Sequence, residues 1–228
     1  MNRDDQGIGT VTITGSSVWG VVLAAGSSSR LGQPKQLLSL GGEPLLNHVL
    51  RAAAMSSLGG TVLVLGHEAT AIGSAVGDFG QRTVINSSYA GGQSLSLRVG
   101  ISALPTEATG AVVLLGDQPL VTAGLIGQVV DRYVSLGRTD RFVQARYGRI
   151  TAPPVLIGRA WFDAVGHITG DQGARDLIRL HPDLTETVEA EGDRPFDIDT
   201  MDDYRRLLAA VERTGHAEKT PGLPGTTP

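Results

Sequence analysis

Short apolar runs rich in β-branched residues alternate along this chain with stretches whose apolar positions recur every three or four residues. VWGVVLAA (18–25), TVLVLG (61–66), RTVIN (82–86) and AVVLLGD (111–117) read as buried strands. Leu45, Leu46, Val49, Leu50 and Ala53 form a helical stripe between Pro44 and Met55, and the stretch after residue 66 also reads as helical. A further helix is predicted from about Thr122 to Ser135. Leu95, Leu97, Val99, Ile101 and Leu104 fit neither period cleanly, so residues 94–104 stay open. The last third is less regular. FVQAR (142–146), PVLIG (154–158), ETVEA (186–190) and PFDID (195–199) read as strands, some of them antiparallel; residues 160–180 look partly helical, and a final helix starts at Met201.

Alternating strand and helix units of this length imply right-handed crossovers and a mostly parallel sheet covered on both faces. The expected fold class is α/β, a three-layer α/β/α sandwich with a small antiparallel portion in the C-terminal third. Ligands of such sheets sit outside the carboxyl ends of the strands. That rule selects the loops after Ala25, Asn86 and Leu115. Residues 1–17 are polar and read as a flexible leader; residues 213–228, rich in Pro, Gly and Thr, read as a disordered tail. One domain is expected between them, over residues 18–212.

Composition narrows the chemistry. Aromatics are 4% of the chain, so Ala, Val, Leu and Ile must fill the core. The 31 glycines are about twice average usage, which predicts tight turns or close backbone approaches. With no cysteine, disulfides, thiolate metal sites and thiol nucleophiles are excluded, as suits a reducing cytoplasm. The net charge of −4 and the lack of a polybasic run argue against nucleic acid as a partner. No apolar run reaches membrane-spanning length, and the N-terminus lacks the apolar core of a signal peptide. The expected location is the cytoplasm.

Candidate chemistry falls in five stretches. In LAAGSSSRLGQPKQLL (23–38), Gly26 allows a sharp turn, Ser27, Ser28 and Ser29 leave backbone N–H groups open to phosphate, and Arg30 and Lys35 supply two cations. Neither of the two common Gly-rich phosphate-loop spacings is present. In VVLLGDQPLV (112–121), a buried strand delivers Asp117 at its carboxyl end, where an acid can hold a divalent metal beside a triphosphate. Asp197 and Asp199, at i and i+2, would share one side of a strand, while Thr200 is placed to cap the helix that follows. Asn86, Gly92, Gln93, Ser94 and Ser96 supply small and polar groups in NSSYAGGQSLSLRVG (86–100). The fifth stretch is TGDQGARDLI (169–178), with Arg175 as a candidate anion ligand.

The first stretch resembles the signature LAAGxSxRhGxxK of nucleotidyltransferases with a Rossmann-like, glycosyltransferase-A type fold, matched at Leu23, Ala24, Ala25, Gly26, Ser27, Arg30, Gly32 and Lys35. GDQP and GDQGAR are similar to the molybdenum cofactor cytidylyltransferases within the MobA-like group, and the resemblance spans roughly residues 18–210. It implies transfer of CMP from CTP to the terminal phosphate of a molybdopterin-type cofactor, with Mg2+ as cofactor and pyrophosphate as the second product. On this reading Arg30, Lys35 and Asp117 are catalytic, and Asp117 and Asp199 hold the metal. Leu23, Ala24, Ala25, Gly26, Ser27, Ser28, Asn86, Gly92, Gln93, Ser94 and Ser96 bind nucleotide; Gln118, Asp171, Gly173 and Arg175 bind the acceptor. The NTP part covers about 18–120 and the acceptor part about 121–212, with a client molybdoenzyme as a further partner. Guanylyl-transferring relatives tend to read LAGG where this chain has Ala24-Ala25-Gly26, which favours CTP over GTP by one methyl group. At Thr151-Ala152-Pro153-Pro154 the chain departs from the Gly-His-Pro stretch common among such relatives. Two other readings stay open: guanylyl or cytidylyl transfer to another small phosphorylated acceptor, and a non-catalytic cofactor-binding chaperone.

Overall fold

The computed structural model describes residues 13–14, 17–170, 174–192, 195 and 197–217. In chain order the elements are β1 (Val18–Ala24), β2 (Ser39–Leu40), β3 (Glu43–Pro44), α1 (Leu45–Ala54), β4 (Thr61–Leu65), α2 (Ala69–Ala75), β5 (Arg82–Ile85), α3 (Gln93–Ser102), β6 (Gly110–Leu115), α4 (Ala123–Leu136), β7 (Phe142–Tyr147), β8 (Ile150–Gly158), α5 (Phe162–Val165), α6 (Arg175–Arg179), β9 (Thr185–Glu189) and α7 (Met201–Ala217).

Seven strands form one sheet in the order β5-β4-β1-β6-β8-β7-β9. The pairings β5/β4, β4/β1, β1/β6 and β7/β9 are parallel, whereas β8 runs antiparallel to both β6 and β7. β8 is therefore the one reversed strand, which is the antiparallel portion expected in the C-terminal third. Successive side chains along each strand alternate between the two faces, as a period of two requires. In β1, Val18, Val22 and Ala24 join the core under α1, α2 and α4. Val21 and Leu23 join the opposite core under α3, α5 and α6. This gives the expected three layers. The buried stripe of α1, Leu45, Leu46, Val49 and Leu50, is at most 1% exposed, and each such side chain contributes about 1.5–3 kcal/mol of transfer free energy.

The open stretch 94–104 resolves into α3. Its buried positions are Ser94, Ser96, Leu97, Gly100 and Ile101, a helical spacing disguised by small residues on the inner face. Thr122 caps α4 by accepting from the Leu125 N–H at 3.1 Å, and Gly137, in the left-handed region at φ 61°, ends it.

Three expectations need correction. PFDID is not a strand at its described positions; Ile198 instead buries against Leu38, Leu40, Leu45 and Leu207, which lays the segment across the end of the sheet. The last helix runs to Ala217, beyond the domain edge set at residue 212. The leader is not wholly loose, because Ile13 packs against the core and Ser17 Oγ lies 2.6 Å from Thr109 Oγ1.

α3 lies unusually close to the sheet. A Cβ at Gly100 would overlap Val21 Cγ1 and come within 3.0 Å of Val64 Cγ2. Gly100→Val is expected to lower the unfolding free energy by about 1–3 kcal/mol in chemical denaturation, because the helix must lift off β1 and β4.

Candidate active site

Loop 1, between β1 and the short 3-10 turn Lys35–Leu37, is shaped by its own side chains. Gln36, 1% exposed, donates its Nε2 to the Ala24 carbonyl at 2.9 Å and to the Gly26 carbonyl at 3.4 Å. Ser28 Oγ accepts from the Lys35 N–H at 3.0 Å, tying the outgoing limb to the incoming one. The left-handed backbone positions are Ser28 (φ 50°) and Gly32 (φ 68°), not Gly26. A Cβ at Gly26 would meet nothing within 4 Å, so glycine at 26 leaves room above the backbone rather than making the turn.

Three distant pieces of chain meet at Lys35. Its ammonium donates to Asp117 Oδ2 at 2.6 Å, just past the end of β6, and to Asp199 Oδ1 at 3.0 Å, just before α7. Arg30 Nη1 stands 4.0 Å from the other Asp199 oxygen, with its side chain 75% exposed. Asp199 is held at the foot of α7 by a reciprocal cap, in which Asp203 Oδ2 accepts from the Thr200 N–H and hydroxyl while Thr200 Oγ1 accepts from the Asp203 N–H. Gln118 Nε2 donates to Asp197 Oδ1 at 2.8 Å.

Burial pushes the Asp117 carboxyl up, and the Lys35 charge beside it pulls back. For Lys35, burial works against the charge, but Asp117 and Asp199 together outweigh it and hold the ammonium protonated above its usual range. Both carboxylates already point at one cation, and oxygen donors of this kind suit a hard divalent ion that completes its shell with water and phosphate. Among the described residues no group of three or more His, Cys, Asp or Glu side chains is placed to hold a metal.

These groups border a cleft of about 710 Å3 over the carboxyl ends of β1 and β6, lined also by Leu23 to Arg30, Tyr89, Gly92, Gln93 and Ser96. β4 and β5 lie on one side of β1 and β6 on the other, so the cleft sits where the strand order reverses. A second cavity of about 500 Å3 adjoins it, shares Leu23, Gln93, Leu115 and Asp197, and is lined by Gln118, Gln144 and Arg175 among others. A third, of about 300 Å3, lies beside Arg98 and Arg159, away from the acids.

The MobA-like NTP transferase domain family matches residues 20–187, the span that builds this sheet and most of both cavities. The chain belongs to the MobA-like NTP transferase family. It is a nucleotidyltransferase by family and fold. Among its relatives is the nicotine blue oxidoreductase of Paenarthrobacter nicotinovorans, 31% identical over 201 residues, covering 84% of this chain and 96% of that one. Among solved structures, the homologue of Mycobacterium tuberculosis Rv0371c from Mycobacterium sp. strain JC1 is 34% identical with a TM-score of 0.78, covering 87% of this chain and 98% of that one. Rv0371c of M. tuberculosis H37Rv, in a structure described as a complex with manganese, is 32% identical with a TM-score of 0.73, covering 84% and 97%.

In this MobA-like chain the cleft brings together Arg30, Lys35, Asp117 and Asp199 with Leu23, Ala24, Ala25, Gly26, Ser27, Ser28, Gly92, Gln93 and Ser96. Gln118 and Arg175 line the adjoining cavity. Asp171 and Gly173 lie outside the described residues. Two expected nucleotide ligands are placed differently. Asn86 is 3% exposed and spends its amide on Ser96 Oγ at 3.0 Å, bracing the cleft wall from behind. Ser94 is fully buried, and its N–H donates to the Gly170 carbonyl at 3.1 Å. Both face the packed side of their elements. Gln36 and Tyr89 were not expected at the site. A buried glutamine inside a polar loop carries no sequence signal, and Tyr89 lies between the small residues of its stretch with no periodicity to mark it.

Lys35→Met leaves Asp117 buried without a counter-ion. Its unfolding free energy in metal-free buffer is expected to fall by about 1–3 kcal/mol in urea titrations. The variant is also expected to gain more thermal stability than the parent from added Mn2+, because both acids are then free for the ion. Equal loss with no such gain would separate the two acids from any metal role.

Proposed function

We propose that this chain transfers CMP from CTP to the terminal phosphate of a molybdopterin-type cofactor, using Mg2+ and releasing pyrophosphate. The observation that carries the reading is the convergence of Asp117 and Asp199 on the single Lys35 ammonium, at the edge of a cleft floored by loop 1. Transfer of a nucleotidyl group needs cations on the triphosphate, a place for a metal beside it, and a second pocket for the acceptor.

In this mechanism the open backbone above Gly26 and the N–H groups of Ser27 and Ser28 cradle the phosphates, and Arg30 and Lys35 offset their charge. Asp117 and Asp199 would hold Mg2+, which when bound would supply further charge neutralisation beside the triphosphate. The acceptor occupies the cavity of Gln118 and Arg175; by resemblance, Asp171 and Gly173 are also assigned to the acceptor. A terminal phosphate oxygen of the acceptor attacks the α-phosphorus in line. The new O–P bond forms as the bond to pyrophosphate breaks, and the attacking oxygen is already ionised, so no general base is required. Ala25 beside the base is the feature that favours cytosine. A client molybdoenzyme would take up the product.

The test is pyrophosphate release with Mg2+, a molybdopterin-type cofactor, and CTP or GTP in parallel. Release with CTP and not GTP is expected. Asp117→Asn is expected to lower kcat by about 10²–10³-fold with the fold intact by circular dichroism. Release with GTP alone would move the base assignment and keep the acceptor. Silence with both, using cofactor active in a control, would sink the acceptor assignment.

A further inference from the structure

Arginine side chains elsewhere in the described structure are engaged. Arg51 pairs with Glu43, Arg132 with Glu186, Arg138 with Asp140 and Arg146 with Glu189. Arg82, Arg98 and Arg159 donate to backbone carbonyls. Among the described residues, Arg149 and Arg175 have neither hydrogen bond nor ion pair, a state shared with Arg213 far along α7. Both of the first two line the same cavity of about 500 Å3.

They reach it from different walls. Arg149 sits at the tip of the β7–β8 hairpin, directly after Gly148 in the left-handed region, and Arg175 opens α6. Between them the walls mix apolar side chains, Leu97, Val113, Val155 and Ile178, with the polar Gln118, Gln144 and Thr151. Among the described residues the one carboxylate on the lining is Asp197, which already accepts from Gln118. Both residues are exposed on the lining of one cavity and have no described partner there, so an anion entering it can take forked, charge-assisted hydrogen bonds from either guanidinium. Neither arginine lines the cleft of Lys35, Asp117 and Asp199, where the attacking phosphate must lie.

We infer that Arg149 and Arg175 form a subsite for a second anionic group of the acceptor, separate from the phosphate that attacks. The substrate class is then an organic phosphate carrying a second anionic centre. The inference rests on the transferase reading for the position of the attacking phosphate, and it adds Arg149, which no sequence motif marks.

The test uses the full chain saturated with Mg2+ and a non-hydrolysable CTP analogue, so that phosphate sites in the first cleft are filled. Inorganic phosphate is then titrated, with the arginine Nε–Hε NMR signals as the readout. Phosphate is expected to shift the Arg149 and Arg175 signals together, and Arg149→Met or Arg175→Met to weaken this binding by about tenfold or more. Affinity for the CTP analogue should stay within about twofold in both variants, since neither residue touches the first cleft. With a molybdopterin-type phosphate as acceptor, Arg149→Met should raise the acceptor KM by about tenfold with kcat little changed, the pattern of lost uniform binding. Phosphate that binds parent and variants equally, or fails to reach the two arginines, overturns the subsite. Absence of pyrophosphate release by the parent protein would overturn the acceptor reading instead, while the phosphate titration still decides the subsite.

Discussion

One ammonium holds this site together. Lys35 lies 82 residues from Asp117 and 164 from Asp199, yet its Nζ hydrogen-bonds both. Burial penalises charge on Lys35 and on Asp117, so each is tolerable because the other is there. The contact therefore fixes loop 1 against the end of β6 and draws the segment before α7 over the sheet. It also keeps two acids aimed at one point in the absence of any ligand. A divalent ion and a triphosphate introduced here meet acids and a cation already in range, and little reorganisation is left for the reacting state.

The sheet supplies the place for that contact. Because β4 and β6 flank β1, the loops leaving β1 and β6 lie side by side over the carboxyl ends of their strands and border the crevice there. Glycines let backbone crowd the crevice rim. A Cβ at Gly66 would stand 2.6 Å from Tyr89 Cβ and 2.8 Å from the Ala25 carbonyl, and one at Gly116 would stand 2.9 Å from Ala24 Cβ. Side chains at those positions would push the nucleotide-facing loops apart. The glycine-rich composition is thus concentrated in meaning at a few rim positions, while Gly26 serves the cleft by leaving space.

The strands were legible because their apolar runs are continuous, as burial on both faces demands; β4 is buried at all five positions. α3 was not, because its inner face carries Ser94, Ser96 and Gly100, while Leu95 and Val99 lie on the partly exposed side and blur the period. Asp117 could be picked from the chain by residue type and position after a strand, and Lys35 and Asp199 by the resemblance of their motifs. Their mutual distances could not, since they depend on Ile198 burying against α7 and the β2–β3 hairpin rather than pairing as a strand. Arg149 was invisible for a different reason. An arginine after a turn glycine reads as a solvated hairpin tip, and its lack of a counter-ion appears only once every neighbour is placed.

α3 links the two halves of the site. Its first turn borders the first cleft through Gln93 and Ser96. The same helix holds the segment leading to the acceptor side, through the Ser94 N–H on the Gly170 carbonyl at 3.1 Å and Arg98 Nη2 on the Ile168 carbonyl at 2.8 Å. Ser94 and Arg98 are one helical turn apart, so they grip that segment along one side of the helix. Gly100 pins the helix to β1 and β4 by close contact. A shift of α3 along the sheet is therefore resisted by packing, and any shift that does occur moves nucleotide wall and acceptor segment together. On the proposed transferase reading, rigid coupling of this kind would set the distance between nucleotide and acceptor, which in-line transfer requires to be held closely.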